Sequence, residues 1–153
     1  IDVSGSMEGA LSGKSETTRM DAASGLAIFI REKAQEAKIA TFSDSLVIIT
    51  ARRGMALRAA IHNYQVHTST QLRGALSVLS KQPDWQTLDR LIVITDEQAH
   101  YCILKAWNPK AYVINVAPYK NGLSYGNGWQ HIDGWSERVI DYIQQIENIQ
   151  PNE

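Results

Sequence analysis

The sequence predicts an α/β fold: a three-layer sandwich with a mostly parallel central sheet, one antiparallel edge strand and helices on both faces. Three observations predict it. Strand-like apolar runs alternate with helix-like periodic segments along the chain, the pattern of a parallel sheet covered by crossover helices. Leu91-Ile92-Val93-Ile94 is an unbroken apolar run between polar neighbours, which is how a strand buried on both faces reads. A short polar step at Ser43-Asp44 joins two strand-like runs, and so short a connection fits only an antiparallel pair.

The elements follow in order. From Thr18, the residues Met20, Ala23, Ala27, Ile30, Ala34 and Ala37 step by three and four, one face of an amphipathic helix. Thr18 with Asp21 three residues on is a helix-start capping pair. Lys38 to Ser43 and Ser45 to Thr50 form the hairpin. Helices are expected around Met55 to Tyr64 and around Gln71 to Ser80, the second with Leu72, Ala75, Leu76 and Leu79 inward. Leu91–Ile94 is the central strand. Tyr101 to Trp107 reads as a short helix stopped by Asn108-Pro109. Ala111 to Ala117 is the next strand, followed by a loop from Pro118 to Asp133 with a short edge strand at Gln130–Ile132. A last helix is expected to carry Trp135, Val139, Tyr142, Ile146 and Ile149 on one face, with Trp135 in the core and Trp129 partly exposed.

At 153 residues the chain fits one domain with a two-sided core, read here as spanning residues 1–153. The apolar fraction of 44% and charged fraction of 20% are ordinary for a soluble protein. A net charge of -1 gives no electrostatic basis for direct, non-specific nucleic-acid binding. The basic cluster Arg52, Arg53 and Arg58 reads as a solvated helix entrance. The lone Cys102 cannot form an internal disulfide or a Cys-rich metal site, so a reducing, cytoplasmic setting is the simplest expectation. No apolar run approaches the roughly 18 residues of a membrane span, and no membrane partner is expected. The chain opens on Ile1-Asp2-Val3-Ser4-Gly5-Ser6, whereas a buried strand needs about four to eight apolar residues. The expectation is a first strand truncated at its N-terminus, central in the sheet between Ile39–Phe42 and Leu91–Ile94.

Chemistry concentrates at three strand ends. Asp2-x-Ser4-x-Ser6 follows one strand, Asp96 ends another, and Thr68-Ser69-Thr70 opens a helix. In open α/β sheets ligands bind at the carboxyl ends of strands. A hard divalent ion takes oxygen ligands, and Mg²⁺ wants about six of them at about 2.1 Å. Two hydroxyls at i and i+2 can reach one ion from the same side, with Gly5 between them permitting the turn. Thr70 can add a third oxygen, while Asp2 and Asp96 act through coordinated waters and hold the hydroxyls. An ion touched directly only by neutral oxygens keeps its charge and seeks an anionic ligand, most naturally a partner's carboxylate. The plainer reading makes these residues ordinary turns and caps, which Ser, Thr and Asp also favour.

The three motifs together resemble the metal-ion-dependent adhesion site of the von Willebrand factor A family, which is Rossmann-like in fold. Asp2, Ser4 and Ser6 match the family's first loop. Thr70, ahead of Leu72 and Gly74-Ala75-Leu76, matches its Thr loop, although His67-Thr68-Ser69 stands where glycines are often found. Asp96 in Ile94-Thr95-Asp96-Glu97 matches the last motif. Within the family, Ile94 to Gln98, Val116-Ala117-Pro118-Tyr119 and His131 to Val139 resemble bacterial Ro (TROVE) ribonucleoproteins. The resemblance implies a Mg²⁺ or Mn²⁺ site at Asp2, Ser4, Ser6, Thr70 and Asp96, and a protein partner offering Glu or Asp. It implies RNA binding only through a ring of helical repeats that this chain does not contain.

Other signals fail on spacing. Gly13-Lys14-Ser15 resembles the end of a phosphate-binding loop, but Glu8 stands where the leading Gly belongs, so Glu8 to Thr17 reads as a loop beside the metal site. His62, His67, His100 and His131 lack zinc-like spacing, although His67 is near Thr70. The rival function is a Mg²⁺-dependent phosphotransfer enzyme with Asp2 as nucleophile. Such enzymes want a second Asp two residues on as general acid, and Ser4 there cannot serve near neutral pH. The expectation is a binding module and not an enzyme.

Overall fold

The computed structural model describes residues 1–50, 52–63, 65–66, 69–96, 103–117 and 126–149. Strands β1 (Ile39–Phe42) and β2 (Leu46–Ile49) form the antiparallel hairpin, with Phe42 opposite Leu46. Strands β3 (Leu91–Thr95), β4 (Ala111–Asn115) and β5 (Trp129–Asp133) form a parallel sheet in that order. Ile1 to Val3 joins the two. Asp2 bridges Phe42 in parallel, Val3 N donates to Phe42 O at 2.9 Å, and Asp2 N donates to Ile94 O at 2.8 Å. The chain's first residues thus run between β1 and β3, and β2 is the antiparallel edge.

Period-two alternation sorts the strands into two cores. Ile92, Ile94, Tyr112 and Ile114 face one layer, with Val3, Met20, Leu26, Leu57, Ile61 and Ile143. Val93, Val113 and Trp129 face the other, with Phe42, Leu72 and Leu76. Helices α1 (Arg19–Lys33), α2 (Gly54–Asn63) and α5 (Val139–Ile149) therefore cover one face, and α3 (Leu72–Leu79) covers the opposite one. Each large aliphatic side chain so buried contributes about 1.5–3 kcal/mol.

Helix α1 begins where expected. Thr18 Oγ1 accepts from Asp21 N at 3.0 Å, and Asp21 Oδ2 accepts from Thr18 N at 3.2 Å, a reciprocal cap. It ends earlier than the apolar spacing suggests. Ala34 is already extended as the C-cap, and the Ala37 carbonyl accepts from Arg31 Nη1, so Ala37 belongs to the turn into β1. The basic residues at the next helix are more than a solvated entrance: Arg58 pairs with Asp21 at 2.7 Å and Arg53 with Glu32 at 2.9 Å, tying α2 to α1.

Several expectations in the second half need correction. Residues 103–107 carry no helix, because their carbonyls serve distant donors. Asn127 Nδ2 donates to Ile103 O at 3.1 Å and Trp129 Nε1 to Leu104 O at 2.7 Å. This bond seats Trp129 in the core at 5% exposure, as the first residue of a strand one residue longer at each end than expected. Trp135 is the exposed one, at 46%. It follows the left-handed turn at Gly134 (φ 99°) and lies outside α5, its Nε1 donating to Ala22 O at 2.9 Å. The inward face of α5 is Val139 and Ile143 with Ile146 half-buried, while Tyr142 is exposed. A short helix α4 (Pro83–Gln86), with Pro83 at its start and Trp85 buried beneath it, had no counterpart in the expected elements. Among the described residues no helix is long and apolar enough to cross a membrane.

Candidate metal centre

The centre is built at the carboxyl ends of the first segment and β3. After Asp2 and Val3 the chain turns at once into a 3-10 turn, Gly5–Glu8, anchored by the fully buried Met7. Gly5 is the first residue of this turn and is not in the left-handed region, so its value at this place is not the conformational freedom expected of it. Asp2 is entirely buried. Its Oδ1 accepts from Ser4 N at 2.9 Å and its Oδ2 accepts from the Thr95 hydroxyl at 2.7 Å. Burial pushes its carboxyl above the usual range, the Asp96 charge adds to this, and the Thr95 and Ser4 hydrogen bonds work against it.

The turn brings Ser4 Oγ and Ser6 Oγ to 3.2 Å from each other. Asp96, immediately after β3, is also fully buried, and its Oδ2 accepts from Arg19 Nη1 at 2.9 Å. The same nitrogen donates to Ser6 O at 3.2 Å. Arg19, from the start of α1, thereby links the serine turn to the second carboxylate.

Thr70 reaches the same end of the sheet through its neighbours. Gln71 N donates to Ser43 O at 2.9 Å, Ser43 Oγ donates to Ser69 O at 3.0 Å, and Ser69 Oγ bonds Asp44. Thr70 is thus held beside the end of β1, next to the strand that carries Asp2. Among the described residues its hydroxyl makes no hydrogen bond to Ser4 or Ser6. His67, Thr68, Glu97, Gln98, His100, Tyr101, Cys102, Pro118 and Tyr119 lie outside the described residues.

The donor set fits a hard divalent ion. Adjacent oxygens of an octahedron of about 2.1 Å bonds lie about 3.0 Å apart, close to the 3.2 Å between the two serine hydroxyls. Among the described residues no three His, Cys, Asp or Glu side chains gather for a metal. Two groups escaped the sequence reading. Thr95 was legible only as a neighbour of Asp96. Arg19 did leave a signal: a cation at the first position of a helix sits at the positive end of the dipole, where it is unfavourable unless something else binds it.

The loop from Glu8 to Thr17 closes on itself, with Ala10 bridging Thr18 and Leu11 N donating to Thr17 O at 2.8 Å; Lys14 on it is exposed.

Comparisons with known proteins agree with this architecture. The structure is similar to the crystal structure of an aerotolerance-related membrane protein from Bacteroides fragilis NCTC 9343 carrying multiple mutations to serines. The TM-score is 0.64 at 15% identity, over 97% of this chain and 96% of that one. At that identity the likeness speaks for the fold alone. No curated protein matches the sequence. The family profile described as Ro60 vWA domain matches residues 1–109. With this profile covering the serine turn, the Thr70 loop and Asp96, the chain belongs to the Ro60 vWA domain family.

Proposed function

We propose that the domain is a binding module with a metal-ion-dependent adhesion site, and not an enzyme. One Mg²⁺ or Mn²⁺ is held by the hydroxyls of Ser4, Ser6 and Thr70, with Asp2 and Asp96 acting behind water. The supporting observation is the pair of serine hydroxyls 3.2 Å apart, set over two fully buried carboxylates. The bound ion supplies a Lewis-acidic position for one anionic ligand. A Glu or Asp side chain of a protein partner is the fitting ligand, because Asp2 and Asp96 are already engaged by Ser4 N, Thr95 and Arg19.

The same engagement argues against phosphotransfer. A nucleophilic carboxylate needs an oxygen aimed at substrate. Asp2 is fully buried, with both oxygens accepting hydrogen bonds from Ser4 N and Thr95. In a Ro-type ribonucleoprotein, RNA contact belongs to the ring of helical repeats expected from the family, and this domain supplies a protein contact.

The test is calorimetric titration of the metal-stripped chain with Mg²⁺ and Mn²⁺, alongside hydrolysis of a panel of phosphate esters. One site per chain, lost in the Ser4→Ala, Ser6→Ala double variant, and no turnover is the expected result. Turnover that disappears in Asp2→Asn would overturn the binding-module reading.

A further inference from the structure

Trp135 stands in the stretch between β5 and α5, outside any helix, and is 46% exposed. A surface aromatic by itself is ordinary. Its polar end is not. Nε1 donates at 2.9 Å to the carbonyl of Ala22, 113 positions away and in the first turn of α1. A carbonyl has a second lone pair beyond the one a helix uses. Gly134 makes this aim possible. Its φ of 99° turns the chain after β5, a conformation that other residues adopt only under strain, and its N–H is fixed to Asn115 O at 2.9 Å.

The first turn of α1 is also where the helix meets the serine turn. Ala22 N donates to Thr18 O at 3.1 Å, Arg19 N to Gly9 O at 2.9 Å and Gly9 N to Ser6 O at 3.1 Å. Hydrogen bonds through adjacent residues thus lead from the indole to the backbone of Ser6. The serine turn holds the start of α1 from one side, and Trp135 ties it to the end of β5 from the other. Groups that fix the ligands from outside set much of a metal site's affinity. We propose that Trp135 is a positioning residue for the metal centre: its indole N–H clamps the first turn of α1 and so keeps the serine turn in ion-binding shape. This rests on the metal-centre reading above. Trp135 touches neither ion nor ligand. The clamp transmits no more than one hydrogen bond is worth, which sets its effect at about two- to tenfold in affinity. Linkage makes the coupling reciprocal: what the clamp adds to the ion's affinity, the ion adds to the clamp.

Two measurements on the full chain test this. The first is Mn²⁺ titration by calorimetry on the wild type and on Trp135→Phe, which keeps a ring and loses the N–H, at a temperature where both are folded. The variant should bind Mn²⁺ about two- to tenfold more weakly. The second leaves Trp135 in place and decides the matter if Trp135→Phe does not fold. Hydrogen exchange of the Trp135 indole N–H, followed by NMR, should slow by a similar factor when Mg²⁺ is added to the wild type. In the Ser4→Ala, Ser6→Ala double variant it should not respond. A contact that only stabilises the fold would leave both readouts unmoved. Unchanged Mn²⁺ affinity in Trp135→Phe, or indole exchange indifferent to Mg²⁺ in a chain that binds it, overturns the proposal. Failure of the metal centre itself looks different: the wild type would bind no Mn²⁺, or binding would survive the double serine variant.

Discussion

At the amino ends of β3 and β4, Glu147 gathers three donors: Arg90 Nε at 2.6 Å, Tyr112 OH at 3.1 Å and Lys110 Nζ at 3.3 Å. At the carboxyl end of β3, Asp96 lies beside Asp2, with Arg19 as the cation paired with it. The first cluster has one carboxylate facing two cations and a phenol, and it completes itself within the chain. The second sets, among the described residues, two buried carboxylates beside the Arg19 guanidinium and adds a pair of hydroxyls 3.2 Å apart. Charge that balances internally secures α5 to the sheet. The second lies at a strand end, the place where ligands bind in open α/β sheets, and it is there that the proposed ion would sit.

The largest expected effect breaks the second cluster. Asp96→Ala takes the carboxylate away from a guanidinium that is only 12% exposed, and removing one member of a buried ion pair costs about 3 kcal/mol. Urea unfolding should read this loss, and calorimetry should read a metal affinity weakened by about 10- to 100-fold. The two losses should appear together.

Glu147→Ala should cost about 1–2 kcal/mol, less than Asp96→Ala. Arg90 and Lys110, each 41% exposed, can turn to solvent when their partner is gone. Mn²⁺ affinity should be unchanged. A shift in metal affinity here would show that the two ends are coupled and would erase the distinction between them.

A pH series sharpens the contrast. The Arg90 hydrogen bonds hold the Glu147 carboxyl below its ordinary value, with burial opposing and Lys110 and Tyr112 assisting. A carboxyl lowered on folding stabilises the folded state above its unfolded pKa. That stability is lost as pH falls through the folded value. Denaturant midpoints should therefore fall below about pH 4.5, and less steeply in Glu147→Gln. Some slope should remain, because Asp21 is lowered too: its burial is outweighed by hydrogen bonds from Arg58 and Thr18. The smallest effect belongs to Lys14→Ala on the exposed loop. It should change stability by less than about 0.5 kcal/mol and leave metal affinity alone.

Much of this was legible in the sequence, for reasons that differ by element. Local signals were read correctly where a single interaction sets the structure: the Thr18–Asp21 cap, the Ser43-Asp44 hairpin and the unbroken run at β3. The candidate metal residues were legible as motifs, and the structure places Asp2, Ser4, Ser6 and Asp96 around one turn. What could not be read were choices made by distant partners. Trp129 is buried because Leu104 O accepts its indole proton, and Trp135 is half out because Gly134 turns it toward Ala22. The expected helix at 101–107 fails over its described part for the same reason, its carbonyls being claimed across the loop. Arg19 meets Asp96 across 77 positions of sequence; its place at the start of α1 signals that something binds it, and only the fold says what.

The central claim is that hydroxyls, with carboxylates behind them, hold one ion at this turn. Anomalous diffraction from crystals grown with Mn²⁺ tests it most directly. The account predicts a single Mn²⁺ peak bonded to Ser4 Oγ, Ser6 Oγ and Thr70 Oγ1 at about 2.2 Å, with the Asp2 and Asp96 oxygens beyond bonding distance. A peak bound directly by both carboxylates, or one away from the serine turn, would contradict it.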